Sequence, residues 1–249
     1  MKIRVEADYE SLSYTAARIL ARELLTNDDP VLGLPTGETP KLTYGILVDY
    51  YEDGLLDFSG VETFNLDEYY PIKKDDPRSF HSYMEEHLTD RVNLSPERTH
   101  IPNGELPEKE IGGHCREYER EIDRAGGLDL VVLGIGKNGH IGFNEPGTRF
   151  DTGTRRVELR KKTIQQNFSN PEEAPGEALT VGIKTITRAR KILLLASGMQ
   201  KRKAIDKCID GRISESCPAS VLQLHPNTTV LLDDEAAANL NIESEGVRR

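Results

Sequence analysis

"LDLVVLGIGKNGHIGFNEPG", residues 128–147, contains the run that decides the fold. From Leu130 to Leu133 every side chain is apolar, without the polar alternation of a strand that keeps one wet face. A short run of this kind, closed by glycines, predicts a strand buried on both faces. "PVLGLPTG" (30–37), "VETFNLDEYY" (61–70) and "KILLLASG" (191–198) follow the same plan, the second reading as a strand that ends near Asp67. Helical spacing separates these runs. It occurs in "SLSYTAARILARELL" (11–25), with Ser11 or Ser13 as N-cap, at Leu42, Ile46 and Leu47, and in "MQKRKAIDKCIDG" (199–211). Strands alternating with helices predict an α/β fold: a single Rossmann-like domain over residues 1–249, its sheet mostly parallel and covered by helices on both faces.

Composition narrows the function. The chain has 42 acidic against 32 basic residues and a formal net charge of −10, which disfavours nucleic acid as a partner but leaves room for a local anion site. No stretch approaches the about 18 continuous apolar residues of a membrane span, and the first residues lack an apolar leader, so a cytoplasmic protein with no membrane partner is expected. Cys115, Cys208 and Cys217 have neither CxxC nor Cys/His ligand spacing, so buried, reduced thiols are expected and no metal site. Residues 148–176 are polar and weakly patterned and form a candidate lid segment, while "NIESEGVRR" (241–249) reads as a frayed end.

The residues suited to chemistry sit where the predicted strands end, which is where open α/β sheets place their ligands. "LPTGETP" (34–40) offers the hydroxyls of Thr36 and Thr39, a glycine at Gly37 and the start of a helix, a combination that favours an anion such as phosphate. The side chain of Glu38 must then turn outward, leaving only its amide for the anion. In "FNLDEYY" (64–70), Asp67 and Glu68 are adjacent, so in extended backbone only one of them faces a given pocket. "GIGKNGHIGFNEPG" (134–147) has glycines spaced like a dinucleotide fingerprint, but Pro146 interrupts the helix such a fingerprint requires. His140 and Glu145 instead fall within one compact turn, where a carboxylate can orient an imidazole for acid/base work. Neither G-x-S-x-G nor HExxH is present, which removes support for serine-hydrolase and zinc-protease readings. Lys201, just after a strand end, can neutralise an anion held by the first loop.

Taken together, "GLPTGETP", "FNLDEYY", "SFHSYMEEHL", "GIGKNGHIGFNEPG", "ALTVGI", "SGMQK" and "SVLQLHPN" resemble, in order, the glucosamine-6-phosphate deaminases, which belong with the 6-phosphogluconolactonases to one superfamily. The resemblance implies conversion of glucosamine 6-phosphate and water to fructose 6-phosphate and ammonia, without metal or cofactor. It implies Asp67 as the base moving a proton between C2 and C1, His140 in ring opening, Glu145 and Asn138 in its support, and phosphate held by Thr36, Gly37, Glu38 through its backbone, Thr39 and Lys201. The partner implied is a small sugar phosphate, and a homo-oligomer is a candidate assembly. Galactosamine 6-phosphate deamination, lactonase activity and a non-catalytic sugar-phosphate sensor stay open as alternatives.

Three positions depart from the family pattern. Asn138 stands where aspartate is frequent, Glu38 where glycine or serine is usual, and Phe168 or Ser169 where the family has a phosphate-clamping arginine, with Arg155, Arg156 or Arg160 as substitutes. Val157 and the short tail imply weak or absent allosteric activation. Asp67 is expected to be ionised as the base.

Overall fold

The computed structural model describes residues 1–160, 163–164, 174–240 and 247–248. The chain begins with β1 (Lys2–Glu6), α1 (Tyr9–Thr26), β2 (Val31–Leu34), α2 (Glu38–Glu52), β3 (Glu62–Asn65), β4 (Asp67–Tyr70), α3 (Phe80–His87) and β5 (Thr99–His100). It continues through α4 (Glu108–Arg124), β6 (Leu130–Gly134), β7 (Arg155–Glu158), β8 (Glu177–Thr180), α5 (Ile183–Thr187) and β9 (Lys191–Ala196). It ends with α6 (Arg202–Ile209), β10 (Thr228–Asp233), α7 (Asp234–Ala237) and β11 (Val247–Arg248). The helix predicted from residue 11 is capped earlier than expected: Asp8, not Ser11 or Ser13, is the N-cap, its carboxylate accepting from the Ser11 amide at 2.7 Å.

The large sheet runs β11-β1-β10-β9-β6-β2-β3-β5 and is parallel throughout except for β11, which pairs antiparallel with β1. Part of the expected frayed end is therefore a strand. Neighbouring residues of the central strands point into two different cores, which is why their sequences do not alternate. Leu130, Val132, Leu193 and Leu195 pack with Leu12, Leu20, Tyr44, Leu47 and Met84 beneath α1, α2 and α3. Val131, Leu133, Ile192 and Leu194 pack with Tyr118, Ile122, Ile186, Ile205 and Ala236 from α4, α5, α6 and α7. Gly33 allows the central strands to lie close, since a Cβ there would fall 2.8 Å from Val131 Cγ2.

The second sheet is a finding beyond the sequence reading. Three antiparallel strands in the order β4-β8-β7 stand beside the strand ends of the large sheet. Leu66 is the hinge between the sheets, donating to Leu34 O at 3.1 Å in one and accepting from Val181 N at 2.7 Å in the other. Asp67 accordingly opens β4 rather than ending β3. Within the candidate lid segment, Arg155–Glu158 form β7, paired along β8. The remainder of the deviation from family pattern near Phe168 and Ser169 lies outside the described residues.

The two-core arrangement gives a direct expectation for Leu194, which is wholly buried. Leu194→Ala removes its packing on the α4–α7 side and should destabilise the protein by about 2–5 kcal/mol, read from the urea midpoint at unchanged slope.

Candidate active site

Chain direction creates the site. From β2 the chain proceeds to β3 and β5 on one side; it then returns to β6, next to β2, and proceeds through β9 and β10 on the other. The crossovers after β2 and β6 thus diverge and leave a crevice at their carboxyl ends. A cleft of about 1260 Å³ opens there, lined by the 35–41 loop, Asp67, Tyr69, Arg78, Tyr83, Lys137, His140, Gly142 and Lys201 among others. Thr36, Gly37, Glu38, Thr39, Asp67, His140 and Lys201, singled out in the sequence, all contribute to its wall.

The turn after β6 is tight. Gly136 N donates to His140 O and Gly139 N to Gly136 O, each at 2.9 Å, and no helix follows before Pro146. The His140 ring lies against the Gly136 backbone so closely that a Cβ at 136 would be 2.2 Å from its Cε1. Only glycine leaves that space. His140 Nδ1 is 3.2 Å from Glu145 Oε1, within ion-pair reach but off the axis of a hydrogen bond.

Glu145 is the anchor of the turn. Its Oε1 accepts from the Thr163 hydroxyl at 2.7 Å and its Oε2 from Asn138 Nδ2 at 2.6 Å, with Arg160 Nε 3.7 Å away. Burial works to raise its carboxyl, but the close His140 ring with its charge and the bonds from Thr163 and Asn138 outweigh it and hold it at about 2. Asn138 supports His140 through the backbone, its Oδ1 accepting from the His140 N at 3.2 Å, while its amide grips Glu145.

Asp67 has the opposite environment. It is buried at the cleft floor, and desolvation first, then the charge of Glu68, push its carboxyl up to about 8. At neutral pH this favours the protonated form, where the sequence reading expects an ionised base. Gly142 crosses close by, where a Cβ would lie 3.4 Å from Asp67 Oδ2 and 3.1 Å from Thr180 Oγ1. Glu68 faces away, as the extended backbone requires, and its carboxylate accepts from the amides of Tyr69, Phe80 and His81 at 2.8–3.0 Å, capping α3. Burial, opposed by those three amides, brings Glu68 to about 7.

The opposite wall is cationic. Lys201 donates to Ile135 O at 2.5 Å, and burial, then the charge of Lys137, lowers its affinity for a proton. Glu38 carries its carboxylate out to solvent, 88% exposed and 2.7 Å from Lys41 Nζ, so it leaves its backbone toward the cleft. None of the three substitute arginines lines the cleft. Arg155 donates to Asn144 Oδ1 at 2.9 Å, Arg156 pairs with Glu108 and Glu177, and Arg160 lies over Glu145 and Pro146.

Several contributors escape sequence reasoning. Asn144, fully buried, donates to Ile141 O and Val181 O at 2.9 and 2.8 Å and so pins the turn to the segment after β8. Thr180 accepts from Phe143 N at 3.1 Å and is the strand partner of Asp67. The adjacency of Asn144 to Glu145 was the available signal for the first, whereas nothing local marks the second. Arg78 lines the cleft but pairs with Asp76 at 2.7 Å.

Comparison with known proteins shows the family of the chain. Residues 6–231 match the family described as glucosamine-6-phosphate isomerases/6-phosphogluconolactonase. A glucosamine-6-phosphate deaminase of Clostridium botulinum (strain Loch Maree / Type A3) is 47% identical over 98% of this chain and 100% of its own length. Another from Halothermothrix orenii is 46% identical over 96% and 100%. A solved structure described as a monomeric glucosamine-6-phosphate deaminase superposes with a TM-score of 0.93 at 45% identity, covering 96% of this chain and 99% of its own. The 6-phosphogluconolactonase of Trypanosoma cruzi shares the fold, with a TM-score of 0.78 at 20% identity. Among the described residues no helix is long and apolar enough to cross a membrane.

The raised Asp67 carboxyl has a thermodynamic consequence. Because its folded value, about 8, exceeds its unfolded value near 3.8, its contribution to stability is present below pH 4 and is lost as pH rises toward 8. Asp67→Asn should thus melt higher than the parent at pH 8, with the difference shrinking toward pH 4. Parallel melting curves across that range would contradict the burial of a titrating Asp67.

Proposed function

This chain belongs to the glucosamine-6-phosphate isomerase/6-phosphogluconolactonase family, and from that premise we propose that it converts glucosamine 6-phosphate and water to fructose 6-phosphate and ammonia. The observation that carries the reading is that one cleft holds both a desolvated carboxylate, Asp67, and a carboxylate-anchored imidazole, His140. An aldose-to-ketose proton shift preceded by ring opening needs both groups. The 47% identity to a deaminase over nearly the whole chain favours the amino sugar over the lactone.

In this reading the 6-phosphate rests on the backbone of residues 36–39 at the start of α2, with the hydroxyls of Thr36 and Thr39 and the ammonium of Lys201. The phosphate relieves the repulsion between Lys137 and Lys201. His140 carries a proton between O5 and O1 as the pyranose opens, and Glu145 stabilises the imidazolium formed on the way. The ammonium on C2 of the bound sugar sets a positive charge beside Asp67 and draws its carboxyl down into the ionised form. Asp67 then takes the C2 proton, leaving an enolamine, and returns a proton to C1. Water adds to the resulting C2 imine, and ammonia leaves.

Incubation with glucosamine 6-phosphate should release ammonia and fructose 6-phosphate in equal amounts. Asp67→Asn should lower kcat by about 10²–10⁴-fold while remaining folded. Preference for galactosamine 6-phosphate would move the assignment to that epimer, and hydrolysis of 6-phosphogluconolactone with no ammonia from either sugar would replace it.

The pH profile follows from the Asp67 environment. The acid limb of kcat/KM reports groups of the free enzyme and should lie near pH 8, with activity rising as pH rises through it. That of kcat, which reports the bound complex, should lie lower. Coincident limbs would exclude the ammonium as the group that ionises Asp67.

A further inference from the structure

An anion loop that offers its amides must have its carbonyl oxygens turned elsewhere, and in this chain three tyrosines hold them. Tyr44 Oη donates to Pro35 O at 2.6 Å, Tyr83 Oη to Gly37 O at 2.7 Å, and Tyr9 Oη lies 2.9 Å from Glu38 O and 3.1 Å from Thr39 O. The three phenols come from different helices: Tyr9 opens α1, Tyr44 lies within α2, and Tyr83 lies on α3. Gly37 is the N-cap of α2 and has no side chain with which to cap its amides. Burial, then the charge of Glu38, raises the Tyr83 hydroxyl far above its ordinary value, which keeps it a donor.

Tyr83 differs from the other two in what its helix touches. At the start of α3, the amides of Phe80 and His81 are held by the carboxylate of Glu68, the neighbour of Asp67. One turn later, Tyr83 reaches the loop after β2. A single eight-residue helix thus ties the strand bearing Asp67 to Gly37. We infer that Tyr83 is a positioning residue of the phosphate site, holding the Gly37 carbonyl back so that the loop amides face the cleft, at a separation from Asp67 set by α3. Tyr9 acts on the same loop from the α1 side.

This rests on the reading of residues 36–39 as the phosphate loop, and the test separates the two. Inorganic phosphate is the probe, titrated calorimetrically and as an inhibitor of glucosamine 6-phosphate turnover, with Tyr83→Phe and Tyr9→Phe against the parent. Tyr83→Phe should weaken phosphate binding and raise KM by about five- to tenfold while changing kcat less than about threefold, the loss of one hydrogen bond. Tyr9→Phe should shift the same constants in the same direction. A purely structural role would lower the melting temperature and leave the phosphate dissociation constant unchanged, and that result overturns the inference. Parent turnover with unaltered constants in both variants sinks the positioning role and spares the activity. Tyrosine-dependent phosphate binding in a chain that releases no ammonia does the reverse.

Discussion

The constraint on which the rest of the structure depends is that both faces of the large sheet are buried. Leu130 through Leu133 and Ile192 through Leu195 alternate between two cores, so none of these side chains is free to meet a ligand. Chemistry is confined to the strand ends, and the divergence of the chain after β2 and β6 decides which ends open. The loop at 35–39, the turn at 135–147 and Lys201 converge there for one topological reason. Leu66 extends the same logic: by bonding to Leu34 in one sheet and Val181 in the other, it delivers Asp67 to the cleft floor.

What was legible in the sequence follows from this. Unbroken apolar runs signal strands with two covered faces, and the parallel sheet could be read from four of them. Pro146 was enough to set aside the dinucleotide reading of the glycines in favour of a compact turn, because one residue type forbids the helix. The small sheet was hidden because its strands are half polar and find their partners far away in the chain, Asp67 with Thr180 and Arg155 with Thr180 again on the other side. The α1 cap was misplaced because Asp and Ser cap equally well and only backbone geometry at Asp8 distinguishes them. Nothing local in the sequence marks Tyr9, Tyr44 and Tyr83, since hydroxyls that reach backbone carbonyls belong to no motif.

The cleft sorts two carboxyl groups by their surroundings. Asp67 is desolvated beside another acid and holds its proton, whereas Glu145 collects donors and gives its proton up. Across from them, Lys137 and Lys201 oppose each other's charge. The two ends of the cleft therefore suit opposite charges, a cation near Asp67 and an anion near Lys201. An aminated sugar phosphate carries one of each, so under the proposed function a single ligand meets both ends, and its two charges give it a direction in the cleft.

Asn138 illustrates how such sorting depends on hydrogen-bond direction as well as on charge. Its amide donates to Glu145 Oε2 at 2.6 Å while its carbonyl accepts from the His140 amide at 3.2 Å. An ionised aspartate could meet only the second demand, and it would set a second negative charge against the carboxylate that already faces the imidazole. With asparagine the turn keeps one full charge, on Glu145, and spends the neighbouring side chain on aiming it. The His140 ring then answers to a single fixed anion, held by Asn138 from one side and Thr163 from the other. The departure from aspartate at this position thus changes how the histidine is supported, from shared charge to imposed geometry.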